Sequence, residues 1–146
     1  MLITPKIPYL RTITNMGIVG SATPGTQVLG NATTLVAGAI AQCISAANNI
    51  QESWGISINI SGTGLSATAA EAKMSILIGG ATDDVLIPNL ICGYSAVSQG
   101  GYSYFFPVRI PRGVRVAAQL TTVRPATLAT TRVLITLYGG GVPPFP

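Results

Sequence analysis

The chain has 146 residues, eight basic and four acidic side chains for a formal net charge of +4, and no histidine. It is 48% hydrophobic and only 8% charged, against about 25% charged in ordinary globular domains. The length suits one domain with a real core, the lack of histidine removes the commonest general base and transition-metal ligand, and the sparse charge implies a surface partly covered by other chains.

No run of about 18 apolar residues occurs; the longest candidate, Leu35 to Ala47, is interrupted by Gln42 and Ser45. Pro5, Lys6 and Pro8 break the N-terminus where a signal peptide needs an uninterrupted apolar stretch. The chain is therefore expected to be neither exported by a cleaved signal nor inserted in a membrane.

In chain order, residues 1–30 carry Pro5, Pro8, Pro24, four glycines and no sustained period. They read as an extended N-terminal arm that leaves the body and lies on another subunit. The segment Thr34 to Asn48 is ambiguous. Val36, Ile40 and Ile44 with Leu35, Ala39, Cys43 and Ala47 fit a helical stripe, while Gly38 and the β-branched residues favour a strand, the reading taken here.

The clearest strand is WGISINIS, which places Trp54, Ile56, Ile58 and Ile60 on one face and Gly55, Ser57, Asn59 and Ser61 on the other. AKMSILIGG repeats the pattern with Met74, Ile76 and Ile78. DVLIPNLIC is broken by Pro88, which cannot donate to a ladder and so predicts an edge or a bend. YSYFFPVRI, GVRVAAQLTTV and TRVLITLYGG complete the series, with Phe106, Val108, Val114, Val116, Val133 and Ile135 as core candidates. Six such segments without convincing helices between them predict an all-β, antiparallel sandwich or barrel. The expected organisation is arm 1–30, β-domain 31–140 and an extended tail 141–146, with Phe145 as its apolar anchor.

The chemistry-bearing residues are few. Cys43 and Cys92 lie far apart without metal-ligand spacing and read as buried free thiols, with a single bridge as the alternative. Glu52, Glu71, Asp83 and Asp84 are the only carboxylates. Asp83-Asp84 could lend oxygens to Ca²⁺ with Asn89, although a solvated turn or a partner for arginine fits two adjacent acids better. No phosphate-binding loop is present. Five arginines fall between Arg109 and Arg132, but they alternate with core positions instead of interleaving with stacking platforms, which argues against a nucleic-acid surface. No enzyme activity, cofactor or metal is expected.

Arg109, Arg112 and Arg115 are spaced by three around Ile110-Pro111-Arg112-Gly113, where Pro111 and Gly113 suit the second and fourth positions of a turn. A hairpin about Arg112 would set Arg109 opposite Arg115. Their answering acids must then come from within the chain or from another subunit. The sharper reading is a subunit or capsid interface formed by Arg109, Arg112 and Arg115, with Tyr9 and Arg11 on the arm and Phe145 on the tail.

The runs ILIGGATDDVLIPNL, YFFPVRIPRGVRVAAQL and RVLITLYGGGVPP, spanning roughly residues 35 to 143, resemble a pattern of small virion proteins of tailed bacteriophages. The resemblance implies a jelly-roll sandwich in a capsid decoration (cement) protein or a tail or fibre accessory. A cement protein would bind the major capsid protein as a homo-oligomer, a trimer, on the capsid surface after assembly in the host cytoplasm. A tail or fibre accessory would bind host carbohydrate through Trp54, Tyr94, Tyr102 and Tyr104.

Overall fold

The computed structural model describes residues 12–16, 25–61, 71–80, 82–93, 101–124 and 130–139. Among the described residues there are nine strands: β1 (Thr12–Met16), β2 (Thr26–Leu29), β3 (Ala41–Ile44), β4 (Ser53–Ser61), β5 (Glu71–Gly79), β6 (Asp83–Gly93), β7 (Tyr102–Phe106), β8 (Arg115–Arg124) and β9 (Thr130–Gly139). Among the described residues no helix is long and apolar enough to cross a membrane.

The strands form two antiparallel sheets. The first has the order β1-β9-β4-β7, with β2 also on β9; the second has the order β3-β8-β5-β6. Successive strands switch sheets at every step except β1 to β2 and the β5–β6 hairpin. This is the strand order of a jelly roll, so the fold is an antiparallel β-sandwich of that type.

β1 and β2 share one edge position. Met16 pairs with Ile135 and Thr26 with Val133, so the two strands occupy successive stretches of the same side of β9. This corrects the arm expectation for 12–16 and 26–29, which are part of the body. Two pieces of four and five residues are too short to show a period, which is why the sequence reads as irregular there.

The core lies where the isoleucine faces meet. Ile56, Ile58 and Ile60 of β4, Val133, Ile135 and Leu137 of β9, Met74 and Ile76 of β5, and Val116, Ala118 and Leu120 of β8 are buried. Ser57 and Asn59 are only half-buried, so the alternation read from WGISINIS holds from Ile56 to Ile60, though not at Trp54. Ile78, Phe106, Val108 and Val114 are half-buried and pack against this cluster. The segment 34–48 is not helical: it holds β3 and a bridge from Ala37 to Thr121, between turns at 34–35 and 46–48. Pro88 does mark an edge strand: among the described residues β6 borders only β5, and its register slips at three places.

Candidate functional site

The arginine-rich stretch is a crossover between the sheets. From β7 in the first sheet the chain passes through residues 107–114 to β8 in the second. The Val108 amide donates to the Phe106 carbonyl (3.0 Å), turning the chain away from β7, and Ile110 then exchanges two backbone hydrogen bonds with Ser53 (2.9 and 2.8 Å). Ile110 is fully buried and plugs this end of the sandwich. The expected hairpin about Arg112 is therefore not formed. Pro-Arg-Gly supplies the turn, with Gly113 at φ 76°, a backbone region that side chains with a Cβ disfavour, but the strands on its two sides belong to different sheets.

The turn is fastened by Asn49, a residue the sequence reading did not single out. Its buried side-chain amide donates to the carbonyls of Pro111 (2.9 Å) and Val114 (3.0 Å). Its backbone carbonyl accepts from the Gly113 amide (2.7 Å). These bonds hold Arg112 out at the tip.

The other two arginines are answered within the chain. Arg109 Nε and Nη2 donate to Glu52 Oε1 and Oε2 at 3.0 and 2.9 Å, an exposed two-pronged pair. The hydrogen bonds from Arg109 hold the Glu52 carboxyl below its ordinary range, and the same contact raises Arg109. Arg115 Nε donates to Asp83 Oδ1 at 3.2 Å and its Nη2 donates to Asp83 Oδ2. Register explains the reach: Arg115 lies beside Gly79 and Gly79 beside Asp83, so the guanidinium crosses β5 where there is no side chain. The Asp83 side chain is only 7% exposed and that of Arg115 29%. Asp83 thus takes the role of an arginine partner, with both carboxylate oxygens engaged. Among the described residues no group of three or more Cys, Asp or Glu converges as metal ligands would.

Tyr9, Arg11 and Phe145 of the expected interface, and Tyr94 of the expected carbohydrate set, lie outside the described residues. The rest of the carbohydrate set is split. Tyr102 and Tyr104 stand opposite Ile60 and Ile58 and turn toward the core. The Tyr104 hydroxyl donates to the Ile91 carbonyl of β6 (2.7 Å), tying the edges of the two sheets together, and burial raises its phenol above the ordinary range.

Trp54 goes the other way. The register slips between Ser53 and Gly55, so Trp54 is the extra residue of a bulge. Its ring lies 6.1 Å from that of Tyr138, which in turn meets Phe105 edge-on at 5.6 Å. Gly55 leaves room for this cluster: a Cβ there would lie 3.0 Å from the tip of the Phe105 ring, which would have to shift by a few tenths of an ångström. Phe105 was legible in principle: if Tyr104 and Phe106 point inward, the residue between them must point outward.

Cys43 and Cys92 are free thiols, each pushed up to about 12 by burial. β3 and β6 are opposite edges of the second sheet, about 14 Å apart at roughly 4.8 Å per strand. A disulfide needs Cα atoms within about 7 Å, so the two cannot bridge within the chain.

Fold and geometry together define a jelly-roll sandwich with an arginine-bearing crossover at one end and an outward aromatic cluster on the first sheet. No protein-family model matches the chain, and no curated protein is significantly similar to it. Among solved structures, a chain from "Structure of infectious bursal disease virus Gx strain" superposes with a TM-score of 0.46 at 13% identity, over 98% of this chain and 37% of that one.

Proposed function

We propose that this chain is a non-enzymatic virion structural protein, specifically a decoration (cement) protein that lies on the capsid surface, binds across major capsid protein subunits and stabilises the head. The sequence resemblance to small virion proteins supports the virion setting, and the jelly-roll order supports it at the level of fold, since that fold recurs in capsid domains. The observation that carries a surface covered by another chain is Leu35.

Leu35 is 70% exposed and sits at φ 63°. An apolar residue held in the left-handed region costs about 1–2 kcal/mol, and such strain clusters where function requires it. Its amide is fixed to the Thr122 carbonyl (2.8 Å), and Leu29 at the end of β2, with Val36 and Ile40 on the connection to β3, adds exposed apolar surface. In this reading the patch is what the capsid covers.

Leu35→Asn separates the two roles, because asparagine tolerates the left-handed region and removes the apolar contact. The variant should melt at or above the wild-type temperature yet lose occupancy on purified particles. Unchanged occupancy would refute the role of this patch.

The alternative, a tail or fibre accessory that binds host carbohydrate, draws support from the outward cluster of Trp54, Tyr138 and Phe105. Glycan-induced changes in tryptophan emission that disappear in Phe105→Ala would favour it, together with an electron-microscopic location on the tail.

A further inference from the structure

We propose that the outer edge of β7 is a self-pairing surface, on which a second copy of this chain adds its own β7 antiparallel to join two first sheets into one. An edge strand offers a row of unpaired backbone N–H and C=O groups, and proteins that stay monomeric blunt such edges with bulges, proline, charge or interruption. Three of the four edge positions here are blunted. β3 has four residues and a register slip between Gln42 and Ile44. β6 carries Pro88, Asp83 and Asp84 and slips three times. The β1/β2 position is shared by two separate short strands, of five and four residues, on successive stretches of β9.

β7 has none of these devices. Its sequence, YSYFF, contains no proline or charge, and its pairing with β4 runs in unbroken register from Ile56 opposite Phe106 to Ile60 opposite Tyr102. Among the described residues no strand pairs with its other side.

The occupant follows from the same five residues. An antiparallel pair of identical strands centred on Tyr104 places each Ser103 opposite the partner copy's Phe105 on the outer face. Small then meets large, and no like charges face each other, as they would if a charged edge met its own copy. Phe105, 52% exposed, gains cover from this pairing. The contact is isologous and two-fold, unlike the three-fold assembly suggested by the resemblance. It does not depend on the virion reading, because it concerns the purified chain alone.

Sedimentation of the full chain across a concentration series should show a monomer–dimer equilibrium. Phe105→Lys and Ser103→Lys should each weaken it by about tenfold or more. Ser103 is exposed and its hydroxyl makes one surface hydrogen bond, donated to Asn59 Oδ1 (2.8 Å), so the second variant should melt close to wild type and the result does not hang on the first. Register is read by mixing Ser103→Cys with Phe105→Cys under mild oxidation. The expected product is the mixed disulfide between the two variants, with little homodimer of either; Cys92 is buried and the half-buried Cys43 lies on β3, in the other sheet, so neither competes. A chain that stays monomeric, an association unmoved by both lysines, or cross-linking only within each variant would overturn the proposal. So would a Ser103→Lys protein that still self-associates but no longer attaches to particles, since the edge would then belong to a different chain.

Discussion

Replacing Asn49 by alanine removes the two donors that hold the crossover turn and leaves the backbone bond to Gly113 in place. Each side-chain hydrogen bond contributes about 0.5–1.5 kcal/mol net, so the pair is worth about 2 kcal/mol at the centre of that range. For a chain of this length that corresponds to a fall in melting temperature of roughly 4–8 °C. Asn49→Asp should be worse at neutral pH. It keeps the shape but presents a carboxylate to the carbonyl oxygens of Pro111 and Val114, which sit 2.9 and 3.0 Å from the amide nitrogen it replaces. Burial and those oxygens would raise the folded-state pKa of the new acid above its unfolded value of about 3.9. The folded state then binds more protons than the unfolded one, so the variant is most stable, relative to wild type, below that unfolded value and loses stability as pH rises through the folded pKa. Thermal melts at pH 4 and pH 7, with amide hydrogen exchange at residues 109–115, test both points. An alanine variant within about 1 °C of wild type and with unchanged exchange would show that the turn does not depend on Asn49.

Arg115→Ala strands the nearly buried Asp83 carboxylate and should cost about 3–5 kcal/mol in urea unfolding; adding Asp83→Asn should recover part of the loss, and simple additivity would refute the pairing. Arg109→Ala, whose partner Glu52 is exposed, should leave the midpoint essentially unchanged. Cys43 and Cys92, with thiols pushed up to about 12, should be inert to a thiol reagent at pH 8 in the native protein and react together on denaturation; fast reaction of either in the folded state would contradict their burial.

The parts of the fold visible in the sequence were those with local cause. WGISINIS declares its buried face because a strand alternates with period two, and Pro88 declares an edge because it lacks an N–H. Where one extra residue or one distant partner decides, the sequence is mute. The bulge at Trp54 moves that side chain off the face that strict alternation assigns to it. Asn49 depends on carbonyls 62 and 65 residues away, and no local pattern marks it. The Pro-Arg-Gly turn was legible as a turn, but turn residues do not say whether the strands they join share a sheet. The arginines accordingly looked unanswered in sequence, while register brings Asp83 and Glu52 to Arg115 and Arg109.

The position of β9 has a consequence for how the chain is made. β9 comes last of the described strands, yet it lies between β4 on one side and β1 and β2 on the other. During synthesis from the N-terminus, β1 and β2 have no ladder partner until residues 130–139 leave the ribosome, and β4 can find only β7. The second sheet, whose members end at Arg124, can assemble first, with its apolar face waiting. A nascent chain of this kind exposes unpaired strands until residues 130–139 emerge, at about 5–20 residues per second, and a premature stop even shortly before Thr130 would leave the first sheet without its centre.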